Sequence, residues 1–215
     1  MKQFKANRFS QIIYPFFVYF IIYYLSGACY RYFLQDKFGS VFCLMLAAAT
    51  TLPFMIYLYY KLPTMKTIYQ FSIKSVSIDI LWIVGIVLVA LFLNYLFSFF
   101  QITQSSQTYL HAAKSLNDGV LLFKILSNVL LIPAVEEILY RGIICNQLMQ
   151  WMHPAAAILL SALMFGILHF NPVQFLYALG VGILLGLSYY KTKRLYVPYL
   201  GHALANLTIV LYFAL

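Results

Sequence analysis

The stretch Val84–Leu93, VGIVLVALFL, has no polar residue on any face. A membrane β-barrel needs short segments that alternate apolar and polar residues, and this run does not alternate. A helix built from such residues satisfies its own backbone hydrogen bonds in lipid. The run is therefore expected to lie inside a membrane-spanning helix. Composition carries the same message: 64% of the 215 residues are hydrophobic and only 9% are charged, too little polar surface to solvate a globule of this size.

Outward from this run, apolar stretches long enough to cross a hydrocarbon core, about 20 residues each, fall at roughly 9–30, 41–60, 79–100, 119–141, 154–170, 173–190 and 196–215. The expected fold is all-α, a polytopic membrane helical bundle of about seven transmembrane helices, six to eight. Residues 1–215 read as a single integral membrane domain, with N-terminal helices over 1–118 and a second group over 119–210. Aromatic residues make up 19% of the chain. Many gather near span ends (Tyr23, Tyr24, Tyr59, Tyr60, Tyr189, Tyr190), where amphipathic rings prefer the headgroup level.

The net charge of +9 does not imply nucleic acid, because the basic residues are dispersed among loops and form no patch interleaved with stacking aromatics. Topology accounts for them. A cytoplasmic N-terminus places Lys2, Lys5, Arg8, Lys61, Lys66, Lys74, Lys191, Lys193 and Arg194 inside, against Arg31, Lys37 and Lys114 outside, as the positive-inside rule requires. The same charges attract anionic lipid. The expected location is a multi-pass membrane protein, in a bacterial plasma membrane. Cys29, Cys43 and Cys145 have no metal-type spacing; free thiols are expected, with a Cys29–Cys43 disulfide as the alternative. The first stretch, ending Ser26-Gly-Ala-Cys29, has the outline of a signal peptide but is too long for an ordinary one, so an uncleaved span is expected.

The only two glutamates in the chain, Glu136 and Glu137, stand side by side within the apolar stretch 119–141. An ionisable group at membrane depth costs about 2.5–3.5 kcal/mol on insertion scales and normally faces a bundle interior or a water-filled cavity. Helical spacing separates the two. Glu137 and Arg141 are four apart and share one face, within reach of an ion pair. Glu136 lies about 140° from Arg141 around the axis and is left unpaired, as suits a general base. The bland alternative is that both glutamates bind cations from other helices or simply brace the bundle. Pro133 removes a backbone donor just upstream, with a kink and carbonyls open to water as the expectation.

Two more helices carry buried polar groups at the same spacing. Phe165 and His169 are four apart, as are His202 and Asn206, so each pair presents to a single face. In the hairpin turning near Met152 and His153, Glu136 and His169 fall at one level and are expected to touch. His202 lies only about eight residues beyond the basic loop 191–194, a depth that matches Glu136 only if the hairpin projects past the membrane or folds over. The second case would make residues 142–152 a short amphipathic helix along the interface. Gly182 and Gly186 form a small-x-x-x-small face for close packing. They do not fix an oligomeric state.

The ordered set Glu136-Glu137-x-x-x-Arg141, Phe165-x-x-x-His169 and His202-x-x-x-Asn206 resembles the CPBP family of intramembrane proteases, which contains the CAAX prenyl endopeptidases and bacterial Abi proteins. The resemblance covers roughly residues 119–210. It implies hydrolysis of a peptide bond in a membrane-associated protein or peptide. Glu136 would activate water, His169 would orient it, and His202 and Asn206 would stabilise the oxyanion. Glu137, Arg141 and Phe165 would support them.

The same resemblance leaves the cofactor open. A metal-free mechanism is preferred, because the sequence has no His-Glu-x-x-His helix. Zinc on Glu136, His169 and His202 is the alternative, completed by a water in the fourth position. Bacteriocin self-immunity, catalytic or not, is the alternative function. A small transporter is disfavoured, since no matching pair of interrupted helices is evident.

Overall fold

The computed structural model describes residues 7–62, 73–108, 110, 114 and 119–212, and every regular element among them is helical. Lys2, Lys5 and Lys66 of the charge argument lie outside the described residues. Helix α1 (Ser10–Phe38) and helix α2 (Ser40–Lys61) form an antiparallel hairpin joined by Gly39 alone. Gly39 has φ 82°, a conformation that costs other residues a Cβ clash, and its N–H bonds the Gln35 carbonyl. Cys43 Sγ contacts the Tyr30 carbonyl at 3.4 Å and the Tyr30 hydroxyl meets Thr50 at 2.9 Å across this hairpin. Cys29 and Cys43 are both free thiols.

Helix α3 (Ile73–Phe99) is largely lipid-facing, with Leu81, Leu88, Phe92, Tyr95 and Phe99 exposed. Next come helix α4 (residues 121–148), helix α5 (Pro154–Ile167), helix α6 (Pro172–Thr192) and helix α7 (Tyr196–Tyr212). Helix α6 starts on Asn171, whose side-chain oxygen accepts from the N–H groups of Val173 and Gln174 at 2.9 and 3.1 Å, followed by Pro172 in the first turn. The protein is thus all-helical and polytopic. Helices α1, α2, α3 and α6 are each long and apolar enough to cross a membrane. Helices α5, of 14 residues, and α7, of 17, fall below the usual 20. Along with α4, they occupy the places of the remaining expected spans. They are also the helices bearing the polar motifs.

Helix α4 is the hub, packing against α1, α2, α5, α6 and α7. Its backbone stays helical at every internal junction, but Ile125–Leu131 and Ile138–Cys145 are π-helical. Wide turns of this kind are uncommon and concentrate at functional sites. In the first stretch the Ile132 N–H bonds the Ser127 carbonyl, five residues back. Pro133, with no N–H, cannot do the same for Asn128. That carbonyl instead accepts from Asn206 Nδ2 at 2.8 Å. The backbone group expected to open toward water therefore ties α7 to α4.

The second stretch corrects another expectation. Residues 142–152 do not begin an amphipathic surface helix: Leu139 through Leu148 are all buried. The helix runs on into the bundle, with Gly142 against the ring of Tyr59 and beside Leu195. Leu195, just before α7, thus sits level with Gly142, and 143–148 extend beyond the α6–α7 connection. At about 1.5 Å per residue, Glu137 is some 16 Å from the end of α4, whereas His202 is about 9 Å from the start of α7. The projecting α4–α5 end makes up the difference.

Candidate active site

Glu137 and Arg141 are fully buried, and Arg141 Nη1 donates to Glu137 Oε1 at 2.8 Å. The i, i+4 pair read from spacing is present. Arg141 Nη2 also donates to the Gly182 carbonyl of α6 at 3.2 Å. A side chain on Gly182 would fill that approach, since a Cβ there would stand 3.2–3.3 Å from Ala162, Phe165 and Arg141. The small-residue face of α6 therefore serves the ion pair. Arg141 also places its guanidinium 4.7 Å from the centre of the Phe165 ring, a cation–π distance.

His202 comes closer to the glutamates than the sequence suggested. Its Nδ1 lies 2.8 Å from Glu137 Oε1, and its Nε2 lies 3.8 Å from Glu136 Oε2. Glu137 thus joins Arg141 and His202; the alternative of partners on other helices allowed for such a link, but spacing along one helix could not name His202. A carboxylate oxygen that already accepts from Arg141 accepts again here, which assigns the Nδ1 proton to His202. The Nε2 side then faces Glu136.

His169 lies just past the last turn of α5, and its Nδ1 is 3.0 Å from the Phe165 carbonyl. Since a carbonyl only accepts, Nδ1 carries the proton and Nε2 is open. The expected contact between Glu136 and His169 is not made: the carboxylate approaches His202 and has no ion pair with His169. The backbone bond to Phe165 holds the His169 ring back toward its own helix. The two residues instead face each other across one cavity.

Phe165 forms the floor between the histidines. Its ring is edge-on to His169 at 5.0 Å and to His202 at 5.8 Å, and Tyr140 stands 5.2 Å away. The cavity has a volume of about 490 Å³ and is lined by Glu136, His169, His202 and Asn206 together with tyrosines of α1. Glu137 and Arg141 do not line it. All four residues expected to act on substrate share one cavity; of the three expected to support them, Glu137 and Arg141 lie behind it and Phe165 lines it.

Zinc on Glu136, His169 and His202 would need the three side chains to close on one ion. Among the described residues no three His, Cys, Asp or Glu side chains are arranged to hold a metal ion. Both histidines bond through Nδ1, His202 to Glu137 and His169 to the Phe165 carbonyl, which leaves each Nε2 without such a partner.

Asp79 was overlooked. It is buried on α3, and its Oδ2 accepts from Arg194 and from the Tyr196 hydroxyl at the start of α7. An acid five places before the run Val84–Leu93 was the available signal, the same kind of anomaly as the glutamates.

The fold and site define a multi-pass helical membrane protein in which Glu136, His169 and His202 line an aromatic cavity and Glu137 is buried behind it. Residues 118–208, which include every motif residue of the cluster, match the family model described as Type II CAAX prenyl endopeptidase Rce1-like. Over these residues the chain is similar to the Rce1-like CAAX prenyl endopeptidase (CPBP) family. A relative in Bacillus subtilis (strain 168), named "Putative membrane peptidase YdiL", is 26% identical over 145 residues, 64% of this chain and 57% of that protein. The chain thus spans a little over half of that relative's length. No solved structure matches.

Proposed function

We propose that this protein is an intramembrane endopeptidase that hydrolyses a peptide bond of a membrane-associated protein or peptide. One observation carries the reading. Of two adjacent carboxylates inside the bundle, Glu137 is fully buried and locked to Arg141 and His202, while Glu136 faces a cavity shared with both histidines. Adjacent acids with such different surroundings suit different roles.

In this reading Glu136 takes a proton from a water that His169 Nε2 orients. The water oxygen bonds to the scissile carbonyl carbon. Asn206 Nδ2, whose second hydrogen is not needed by the Asn128 carbonyl, donates to the resulting oxyanion. His202 is the second donor, through an Nε2 hydrogen on the Glu136 side of its ring, while Nδ1 stays on the Glu137 carboxylate. The carbon–nitrogen bond then breaks, and the proton held by Glu136 passes to the leaving amine. No step runs through a metal. Seven membrane crossings with a cytoplasmic N-terminus, in a bacterial plasma membrane, form the topological part of the proposal, supported by the placing of α4, α5 and α7 beside four long apolar helices.

The test is cleavage of a peptide panel by wild type and Glu136→Gln in proteoliposomes. We expect Glu136→Gln to fold like wild type and to lose at least about a hundredfold in rate, the scale of general-base catalysis. Equal rates would end this assignment.

A further inference from the structure

Asn206 lines the cavity from α7, but the bond that aims its amide comes from α4, where Nδ2 donates to the Asn128 carbonyl at 2.8 Å. A main-chain carbonyl within a helix is ordinarily taken by an N–H of the next turn of the same helix. At Asn128 that N–H is missing for a reason written in the sequence. Along the π-helical run Ile125–Leu131 the bonds reach back five residues, and the Ile132 N–H takes the Ser127 carbonyl. In that register the next N–H, the one due to Asn128, belongs to residue 133, which is proline and has none.

The wide turn and the proline act together. In an α-helical register the proline would free the carbonyl four residues back, that of Val129, whose side chain packs with Ala203 and Val210 of α7. The π-helical register moves the freed carbonyl to Asn128, which lines the cavity beside Asn206. A carbonyl that accepts from outside its helix tilts away from the helix axis. An N–H at position 133 would draw it back toward the axis and leave the Asn206 amide without a fixed partner.

We infer that Pro133 is a positioning residue: by withholding an N–H from the Asn128 carbonyl, it keeps that carbonyl turned to α7, where it aims the Asn206 amide at the cavity. This rests on the endopeptidase reading for the task of Asn206 as oxyanion donor, whereas the aim of the amide can be measured without turnover.

The experiment compares wild type in nanodiscs with Pro133→Ala, Asn206→Ala, the double variant, and a protein carrying lactic acid at position 133. The lactic acid ester has the side chain of alanine and no N–H. We expect Pro133→Ala to melt no lower than wild type, since it returns a donor to the helix, and to lose at least about tenfold in kcat with little change in KM. The lactic acid protein should keep the wild-type kcat. In the Asn206→Ala background Pro133→Ala should cost nothing further. In NMR spectra of isotope-labelled asparagine, the Asn206 amide is the signal that Asn206→Ala lacks. It should shift in Pro133→Ala and stay in place in the lactic acid protein.

With Asn206→Ala slow, a wild-type kcat in Pro133→Ala overturns the inference. So does an equal loss in the lactic acid protein, which would assign the effect to the proline ring, or a full further loss in the Asn206→Ala background, which would assign it to Glu136. A Pro133→Ala protein that melts well below wild type overturns it too, as a packing residue would behave. If wild type cleaves no peptide, or Asn206→Ala cleaves as fast as wild type, the endopeptidase reading of Asn206 fails, and the positioning stands or falls on the shift of the amide signal. If Asn206→Ala is slow and that signal does not move in Pro133→Ala, the positioning fails and the reading stands.

Discussion

His202 Nδ1 and Glu137 Oε1 are 2.8 Å apart, and the same oxygen takes Arg141 Nη1 at 2.8 Å. One atom thereby joins α4 to α7, and Arg141 extends the link to α6 through the Gly182 carbonyl. Glu136, one residue earlier, takes part in no such bond and faces the cavity.

The two glutamates should therefore fail in different ways when neutralised. Removing one member of a buried ion pair leaves the other charge uncompensated, at a cost of about 3–5 kcal/mol. Glu137→Gln is expected to lower the melting temperature in detergent sharply and to lose activity with the fold. Glu136→Gln should leave the melting temperature near that of wild type while abolishing cleavage. Thermal melts of the purified variants beside their rates separate the cases, and an unstable Glu136→Gln would place that residue in the bracing role instead.

Strict chelation provides a second check, since Glu136, His169 and His202 are not gathered around one point. Protein treated with a strong chelator and dialysed should retain its rate within about twofold. A rate lost on chelation and restored by added zinc contradicts this.

The close approach of α6 makes a third prediction. A methyl group on Gly182 meets Ala162, Phe165 and Arg141 at once, at 3.2–3.3 Å, and overpacking of this kind costs about 1–3 kcal/mol. Gly182→Ala should destabilise the protein and slow cleavage, because both the Arg141 anchor and the Phe165 floor are displaced. Gly85→Ala, where nothing lies within 4 Å, is the control and should be neutral in a melt.

What could be read from the sequence follows from what each signal measures. Hydropathy located the helices, because lipid imposes its constraint locally on each one. Spacing found the Glu137–Arg141 pair, the faces of His169 and His202, and the common cavity. It missed the Glu137–His202 bond, since relative depth depends on how far the α4–α5 end projects, and no local pattern encodes that. It also expected the carbonyls freed by Pro133 to open to water. In a π-helical run, the proline frees the carbonyl five residues back instead of four, and that carbonyl is the one Asn206 binds.

The Asp79–Arg194 pair permits a last test, at a distance from the chemistry. Asp79 holds both Arg194 and Tyr196, the residues that lead into α7 six places before His202, and α7 packs along α3 with Gly201 against Ile86. If this clasp sets the register of α7, loosening it should move His202 relative to the glutamates. Asp79→Asn is expected to destabilise the protein and to lower kcat without changing KM. Arg194→Gln alone should do the same to a smaller degree, its side chain being partly exposed. Because the residues share one interaction, the double variant should be milder than the sum of the singles by at least about 0.5 kcal/mol. Denaturation of the four proteins measures the coupling, and their cleavage kinetics show whether it reaches the site. Strict additivity in stability would mean that the pair does not act as a unit, and an unchanged kcat in Asp79→Asn would confine the clasp to folding.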